Sequence, residues 1–531
     1  MKSSSLHSLR SSQKVSGCWR SKMSSAPGSQ TTASESVELT MDGHDILFPK
    51  LPYDMKQRVQ GATNNAELQE FVNSATRMRD QMRINGCKDA FGDNYDKIRA
   101  LAGDIKQHTL DNLDYYIEQF IDNATAAGTN VHYAADAEEA NAICKEICQK
   151  HNAKLVVKSK SMVTEETNLV HELEAIGVET IETDLGEYIL QLDHDAPSHL
   201  VTPMIHKNRA SVGRAFAREL GVEYTDDPGE LTKIARRVLR DKYRQADIGM
   251  SGGNFMIADS GSVCICTNEG NGRLCTSVPP VHIAYIGIEK MIPSRKHLPV
   301  FLKLLSRSAI GSPITVYNHI MTGPKRNAEP DGPQEQHIIL IDNGRTEVLK
   351  PETREMLRCI RCGACLNSCP VYRKVGGHSY GSVYPGPIGA LLTPVFKGLA
   401  NYKDLPYASS LCGACYEACP VKINIPKYLI QLRSDLIGGK HDKFTDRVFF
   451  KLWSFSLKKA WMYRLAGKMA GVFLRLRNKG VKNKNPYLNR GWVEKVPGPA
   501  AGWTEKRDLV TPPTKDFRSW WDEHQKSKGG K

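Results

Sequence analysis

Apolar side chains recur every three or four positions in the first part of the chain, which is the spacing of one helix face. Between residues 53 and 122 the clearest case places Leu68, Phe71, Val72 and Ala75 on a common side. The segment DNLDYYIEQFIDNA shows the same spacing. The pattern predicts a helical lead.

From about residue 129, short apolar runs alternate with amphipathic segments. We predict strands at NVHYA, KLVVKSK and VETIET, a helix at DAEEANAICKEICQK with Asp136 as N-cap, and a helix at TEETNLVHELEAIG that ends at Gly177. Further strands are predicted at FMIAD, SVCICT, HIAYIGI and HIILI, and the Asp-Asn-Gly after the last is typical of a hairpin turn. Strand–helix alternation with short links favours a covered parallel sheet. Residues 41–350 are therefore predicted to form a helical lead and one α/β domain.

Residues 351–440 are predicted to be a small Cys-rich unit, and residues 441–531 a basic tail. Its first part is predicted to form one or two amphipathic helices with a single apolar stripe: Val448, Leu452, Phe455, Met462, Leu465, Met469, Val472 and Leu476. We expect this stripe to pack on the protein itself. The alternative is that it lies on an anionic membrane surface.

Charge is distributed unevenly along the 531 residues. The net charge of +14 belongs to the tail, because the chain from Lys440 onwards has 22 Lys/Arg and 8 Asp/Glu, whereas the first 439 residues hold 50 of each. A basic body that would bind nucleic acid is therefore not expected. The sequence has no apolar run of membrane-spanning length and no secretory leader, and we expect a cytoplasmic protein.

Residues 1–40 are Ser-rich and contain no acidic residue before Glu35. This composition favours a disordered basic extension or a start codon at Met23 or Met41. An organelle transit peptide is the alternative, but the amphipathic pattern of such peptides is poor here.

Seven of the fourteen cysteines lie in two short runs, CIRCGACLNSCP and LCGACYEACP. The first run has the spacing C-x2-C-x2-C-x3-C-P, in which three cysteines bind one iron–sulfur cluster and the fourth binds another. Aligned on Cys-Pro, the second run matches the first except that Ser409 stands opposite Cys359. The runs therefore predict two 4Fe-4S clusters, held by two sets of cysteines: Cys359, Cys362, Cys365 and Cys419 for the first, and Cys369, Cys412 and Cys415 for the second.

The second set lacks one thiolate. The fourth position is left to an oxygen of Ser409 or Ser410, to water or to a partner, or the cluster has only three irons. A pair of zinc sites is the alternative to clusters, but zinc needs four ligands per site, usually from separated C-x2-C pairs or with histidines. The tight four-cysteine run followed by proline disfavours zinc.

The other cysteines and polar residues that could have a functional role are more simply explained by structural roles. Cys144 and Cys148 lie one helical turn apart and are expected to be core thiols, as are Cys264, Cys266 and Cys275. Residues 251–275 contain polar side chains that would line an anion pocket or, as we favour, form tight turns: Asn254, Asp259, Ser260, Glu269, Asn271 and Arg273.

Other polar positions are less decided. Lys158 and Lys160 either form an anion-binding site ahead of a helix N-terminus or are solvated charges, and the sequence favours neither interpretation. His199 and His206 are expected to have structural roles. The Gly/Pro-rich segment 376–394 either brings backbone amides to cluster sulfurs or only links two helices.

The order of these motifs, with ADSGSVCICTNEGNGRL before the cysteine runs and GWTEKRDL and FRSWW after them, resembles the lactate utilization protein B family. These are iron–sulfur subunits of a three-protein system that oxidises L-lactate to pyruvate. The resemblance covers the chain from about residue 40 to the end. It implies a lactate-utilization (LUD) domain of the CoA-transferase and sugar-phosphate isomerase type, followed by a helical two-cluster ferredoxin domain. It also implies the same seven cysteine ligands.

The resemblance implies an electron-transfer subunit that works with sister subunits and an electron acceptor that the sequence does not identify. Because no residue is an obvious hydride acceptor or flavin anchor, we do not expect the chain to oxidise lactate alone. The sequence carries no dinucleotide or P-loop fingerprint. The alternatives are the same role for another 2-hydroxy acid such as glycolate, an autonomous enzyme, and a non-catalytic redox sensor or scaffold. The basic tail adds peripheral membrane contact as a further expectation.

Overall fold

The computed structural model describes residues 42–439, 444–478, 487, 491–498, 501–505 and 507–528. The predictions for the N-terminal extension and the start codon lie outside the described residues.

The helical lead is confirmed. It consists of α1 Gly43–Leu47, α2 Met55–Asn64, α3 Ala66–Phe91, α4 Tyr95–Asp111 and α5 Leu113–Ala126. Asn65 starts α3 because its Oδ1 accepts a hydrogen bond from the backbone N–H of Leu68 at 2.9 Å. Val72 of the predicted apolar face is buried, and α3 packs against the Cys-rich region.

Twelve strands are described: β1 Asn130–Ala134, β2 Leu155–Lys158, β3 Glu179–Glu182, β4 Ile248–Ser251, β5 Phe255–Ile257, β6 Ser262–Thr267, β7 Val281–Gly287, β8 Met291–Ile292, β9 Tyr317–Met321, β10 Glu335–Ile341, β11 Trp492–Val493 and β12 Leu509–Val510. The main sheet has the order β1-β10-β7-β4-β2-β3, and every neighbouring pair in it is parallel. The predicted parallel sheet is therefore confirmed. Where both faces of the sheet are covered, a strand is buried along its whole length, as in β7.

Nine helices follow in the α/β region: α6 Ala137–Lys150, α7 Met162–Glu166, α8 Leu169–Glu174, α9 Leu185–Leu192, α10 Arg209–Leu220, α11 Pro228–Gln245, α12 Asn271–Ser277, α13 Leu298–Ile310 and α14 Arg345–Val348. Asp136 caps α6 as predicted. The single helix predicted across residues 164–177 is wrong. Asn168 has a left-handed backbone, with φ +57°, and divides the segment into α7 and α8.

Two of the predicted strands, β5 and β6, do not join the main sheet. They belong to a second sheet with the order β8-β5-β6-β9, in which β6 is antiparallel to both neighbours. The predicted hairpin after β10 is also wrong. Asn343 and Gly344 have positive φ, but they turn the chain into α14, and β10 pairs only with parallel neighbours.

The Cys-rich unit contains α15 Ala364–Ser368, α16 Tyr372–Val375, α17 Gly386–Lys397, α18 Ala414–Ala418 and α19 Ile425–Gly438. Six 3₁₀ turns punctuate the described part of the chain: Gly92–Asn94, Ala258–Ser260, Ile288–Lys290, Arg354–Arg358, His378–Tyr380 and Leu405–Tyr407. One apolar core runs from the helical lead through the second sheet into the cysteine loops. The α/β part and the Cys-rich part therefore pack as one body.

The described tail has the helices α20 Phe444–Leu457, α21 Ala460–Leu476, α22 Ala501–Thr504 and α23 Phe517–Lys528. The two predicted amphipathic helices are present, but the expectation that their stripe packs on the protein is wrong. Leu452, Leu465 and Leu476 are 65%, 50% and 81% exposed. Among the described residues, no helix is long and apolar enough to cross a bilayer.

Candidate metal centre

The first cysteine run winds tightly because two of its residues adopt a left-handed backbone. Arg361 has φ +62° and Gly363 has φ +74°, and α15 begins directly after them. A Cβ at Gly363 would lie 3.1 Å from Cε1 of His199, so glycine also meets a space requirement here. The winding brings three cysteines separated by two residues each onto one side of the loop.

The second run repeats this backbone. Leu411 has φ +55°, Gly413 has φ +86°, and α18 begins after Gly413 as α15 does after Gly363. The two short helices pack against each other. The repeat in sequence is thus also a repeat in backbone structure. In the second run, Ser409 occupies the position that corresponds to Cys359.

One cavity beside α15 is lined by four cysteines drawn from both runs. The cysteines that line it are Cys359, Cys362, Cys365 and Cys419. The remaining walls are mostly apolar: Leu200, Ile360, Ile388, Val421, Ile423 and Ile425. The cavity therefore combines four soft thiol ligands with a dry lining, which suits an iron–sulfur cluster.

The other three cysteines of the runs form a second group. Burial, together with the neighbouring Cys369 and Cys412, raises the pKa of the Cys415 thiol to about 12. Cys369 and Cys415 are buried, whereas Cys412 is exposed. The Oγ of Ser409 accepts a hydrogen bond from the N–H of Leu411 at 3.1 Å. This group therefore opens to the surface, unlike the first.

Backbone N–H groups donate to three of the sulfurs. The N–H of Arg361 points to Sγ of Cys359, that of Tyr372 to Cys369 and that of Ile423 to Cys419, each at 3.4 Å. Such bonds stabilise thiolates and tune cluster potentials. Among the described residues these donors lie beside the cysteine runs and not in the segment 376–394, which folds into a buried turn and α17.

A buried ion network joins the α/β part to the first cysteine loop. Arg345 contacts Glu289 at 2.5 Å and Glu166 at 2.9 Å, and the second guanidinium on Glu289 is that of Arg361, at 3.1 Å. Tyr384 donates to Glu166 at 2.5 Å. These side chains are almost fully buried, and the cations hold the pKa of Glu289 down at about 2 despite its burial.

Two buried lysines, Lys106 and Lys290, add further basic groups near Cys359. Lys106 donates to the carbonyls of Glu289 and Met291, and burial lowers its pKa to about 7. Burial likewise lowers the pKa of Lys290 to about 8. With Arg361, three basic side chains surround this corner of the cavity. Sequence reasoning missed the network because its members are far apart along the chain and none stands in a recognisable motif.

The lysines after β2 are not solvated charges. Lys158 pairs with Glu182 at 2.6 Å and is fully buried, and Lys160 pairs with the buried Glu187. Burial raises the pKa of Glu182 to about 7, whereas Lys160 and Lys158 lower that of Glu187 to about 2. Both ammonium groups are already matched by carboxylates, so the structure gives no support to an anion seat.

The polar segment 251–275 serves turns and caps. The Oδ1 of Asn254 accepts from the N–H of Cys266 at 2.8 Å, and Asp259 accepts from the N–H of Arg295 at 3.3 Å. Glu269 accepts from the N–H of Leu185 at 3.1 Å. These side chains therefore have structural partners elsewhere in the chain, and their interpretation as tight turns stays a prediction.

The other predicted structural positions hold. Cys144, Cys148, Cys264 and Cys275 are buried core thiols, and Cys266 is half-buried. His199 is buried, and its Nε2 is 3.1 Å from Oδ1 of Asn367 beside the first cysteine loop. The imidazole of His206 lies between Ser198 and Asp195.

Three family models match the chain. A LUD domain covers residues 117–341, a 4Fe-4S dicluster domain covers residues 355–423, and the C-terminal region of lactate utilisation protein B covers residues 436–526. A protein named lactate utilization protein B from Bacillus cytotoxicus is 47% identical over 82% of this chain and 89% of its own. The chain belongs to the lactate utilization protein B family.

A second member, from Bacillus licheniformis, is 43% identical over 89% of this chain and 97% of its own length. The chain is therefore an iron–sulfur subunit of lactate utilization, with a LUD domain ahead of a dicluster domain. A crystal structure of a DUF162 family protein from Deinococcus radiodurans is 13% identical, covers 43% of this chain and 98% of that one, and has a TM-score of 0.25. So slight a likeness carries no argument about the family's fold.

Proposed function

We propose that this chain transfers electrons within a complex that oxidises L-lactate to pyruvate. Two similar cysteine loops lie side by side, one lining a buried cavity and the other opening to the surface. This difference carries the proposal, because a relay needs one centre shielded from water and one within reach of a partner. The relatives' name supplies the substrate class.

The proposed ligands follow the two groups. Cys359, Cys362, Cys365 and Cys419 would hold the first 4Fe-4S cluster, which is supported by their shared cavity. A second set of three, Cys369, Cys412 and Cys415, would hold the other cluster, which is supported by the proximity of Cys412 that raises the pKa of Cys369 and Cys415. When bound, such clusters exchange single electrons at potentials set by charge and hydrogen bonding.

The protein's own residues shape that chemistry in two ways. The apolar lining of the first cavity excludes water, and the N–H of Arg361 donates to Sγ of Cys359. The cations beside Cys359 favour electron-rich states there. The exposed Cys412 leaves the second centre accessible to a partner protein or an electron acceptor.

The fourth position of the second centre falls to Ser409, Ser410, solvent or a partner subunit, or the centre has three irons. Ser409 already accepts a hydrogen bond from Leu411, which supports a role in the turn. A Ser409→Ala variant is therefore expected to keep its iron.

Lactate oxidation releases two electrons and two protons, whereas a cluster accepts one electron. We therefore propose that sister subunits carry out the two-electron step and pass electrons singly to this chain. The α/β half, proposed to be of the CoA-transferase and isomerase type on the strength of its parallel sheet, would hold the clusters in place. No disulfide joins the described cysteines, which supports a reducing, cytoplasmic location.

The test begins with anaerobic purification, iron and sulfide analysis, and EPR of the reduced and oxidised chain. We expect about eight irons, or about seven with an oxidised three-iron signal if the fourth corner is open. Cys365→Ser is expected to lose the first cluster, whereas the matched control Cys275→Ser, a buried thiol outside the runs, keeps both. Zinc in place of iron would overturn the relay.

The second step measures lactate-dependent dye reduction. The chain alone is expected to be inactive, and the complex reconstituted with its sister subunits active. Turnover of lactate by the single chain would contradict a relay role, and turnover of glycolate but not lactate by the complex would reassign the substrate.

A further inference from the structure

The tail helices α20 and α21 expose large apolar side chains that a water-facing helix would not carry. On α21, Trp461, Leu465, Met469, Val472 and Leu476 follow one another at four- and three-residue steps, and each is at least 50% exposed. Residues with this spacing share one helix face. The face runs the length of α21 and is covered by none of the described residues.

The preceding helix carries a stripe of the same kind. Its members are Phe444, Val448, Leu452 and Phe455, which are 72%, 40%, 65% and 56% exposed. Aromatic side chains also project from its other faces, namely Phe449, Phe450 and Trp453, at 46%, 59% and 54% exposed. A groove in a protein partner would receive a single face, whereas a fluid apolar layer accommodates several.

Charge follows the apolar surface closely. Residues 447–478 contain eight Lys/Arg and no Asp/Glu. On α21, Arg464, Lys468 and Arg475 each stand one position before a residue of the stripe, so a line of cations borders the apolar face. A surface that complements it is apolar inside and negatively charged at its edge.

The rest of the tail contacts a different side of α21. The guanidinium of Arg518 lies 5.8 Å from the centre of the Tyr463 ring, and Tyr463 is on the face opposite the stripe. Arg475 donates from Nη1 to the carbonyl of Pro513 at 2.9 Å. The first contact lies behind the stripe and the second at its edge, so neither covers the apolar face.

We propose that α20 and α21 dock the protein on an anionic lipid surface. An exposed apolar stripe with tryptophan, bordered by Lys and Arg, is the pattern of a helix that lies in the plane of the membrane interface. Neither helix is able to span a bilayer. The pair therefore rests on the membrane, with the stripe in the acyl boundary and the cations among the lipid phosphates.

The experiment is flotation of the full-length, cluster-loaded chain with phosphatidylcholine vesicles, with and without phosphatidylglycerol. We expect co-flotation only with the anionic vesicles and release at high salt. The triple variant R464Q/K468Q/R475Q is expected to lower the partition coefficient roughly a hundredfold, since each of the three cations near an anionic surface contributes about a fivefold gain.

Apolar insertion is tested separately by the pair Leu465→Glu and Met469→Glu, which is expected to abolish flotation. The matched control places glutamates at Ile430 and Ile437 of α19, which are 55% and 56% exposed, and is expected to float like the wild type. Iron content and circular dichroism report that each variant is folded, and neither depends on lactate turnover.

Three outcomes would overturn the lipid proposal. The first is no flotation of the wild type with anionic vesicles. The second is equal loss of flotation in the α19 control. The third is that the α21 variants leave flotation unchanged and alter only the elution volume in size-exclusion chromatography. A change for the assembly with sister subunits would assign the face to a protein partner, and a change for the chain alone would assign it to a second copy.

Discussion

Nη2 of Arg361 lies 3.1 Å from Oε1 of Glu289, and this contact ties the first cysteine loop to the turn after β7. The same carboxylate binds Arg345, whose guanidinium also holds Glu166. Gly287 leaves room for the network, because a Cβ there would lie 2.2 Å from Oε2 of Glu289. The LUD domain thus supports the residues around Cys359 directly.

Removing the shared carboxylate is expected to destabilise the fold. Glu289→Gln leaves the buried Arg361 without its carboxylate partner and Arg345 with Glu166 alone, which costs about 3–5 kcal/mol of unfolding free energy. Anaerobic denaturant titration measures the loss. Glu347→Gln is the control, because its exposed pair with Lys350 contributes about 0–1 kcal/mol. Similar losses in both variants would contradict the role of the network.

A buried histidine predicts acid sensitivity. Burial lowers the pKa of His282 to about 3, and its ring bonds to Ser251 and Gln336. The unfolded chain takes up a proton near pH 6.5, whereas the folded chain does not, so stability is full above that pH and falls on acidification towards pH 3. The loss between pH 6.5 and 4.5 amounts to about 2 kcal/mol.

Denaturant titrations at both pH values on the wild type and His282→Gln isolate this contribution. The variant is expected to lose less stability over the same interval, because glutamine does not titrate. An equal pH dependence in the two proteins would show that other groups control acid unfolding.

The two equivalent glycines are expected to respond differently to substitution. Gly363→Ala and Gly413→Ala both place a side chain in a left-handed backbone, at a cost of about 1–2 kcal/mol. Only the first also brings a Cβ to 3.1 Å from His199, since nothing lies within 4 Å of the second. Gly363→Ala should therefore be the less stable protein and lose more iron, as measured by denaturation and metal analysis.

The cations near the cysteines predict separate effects on the two centres. Arg361→Met removes a permanent buried charge beside Cys359 and is expected to lower the midpoint potential of the first cluster in an EPR-monitored titration. Arg373→Met, near Cys369, is expected to lower that of the second. If both variants changed the midpoint potential of the same EPR signal, this would contradict the proposed division of the cysteines between two clusters.

The sequence predicted those elements that depend on local pattern. Three such features appear in the structure: the repeated cysteine run, the N-cap at Asp136 and the apolar runs of the parallel strands. Each was predictable because it depends on residues that are close together in the sequence. The hairpin after β10 was wrong because Asn343 and Gly344 suit any left-handed turn. Whether a strand or a helix comes next is decided by the parallel pairing of β10 with β1 and β7.

Features that depend on distant contacts were not predictable in the same way. The buried ion network forms only after the sheet is assembled, because its members Arg345, Glu166 and Glu289 are far apart along the chain. Their spacing in the sequence does not predict that they are in contact. The stripe of α20 and α21 looked like any helix face that packs on a core. Sequence periodicity shows that a face is apolar, but it does not show which surface covers it.

The crossing of the fourth cysteines has a consequence for how the protein matures. Cys419 follows the second loop but lines the cavity of the first, and Cys369 follows the first loop but lies with Cys412 and Cys415. If the ligand sets are as proposed, neither loop completes one by itself. Metal insertion would then wait until α15 and α18 have docked, so that loading a cluster and closing the chain around it would be a single cooperative event.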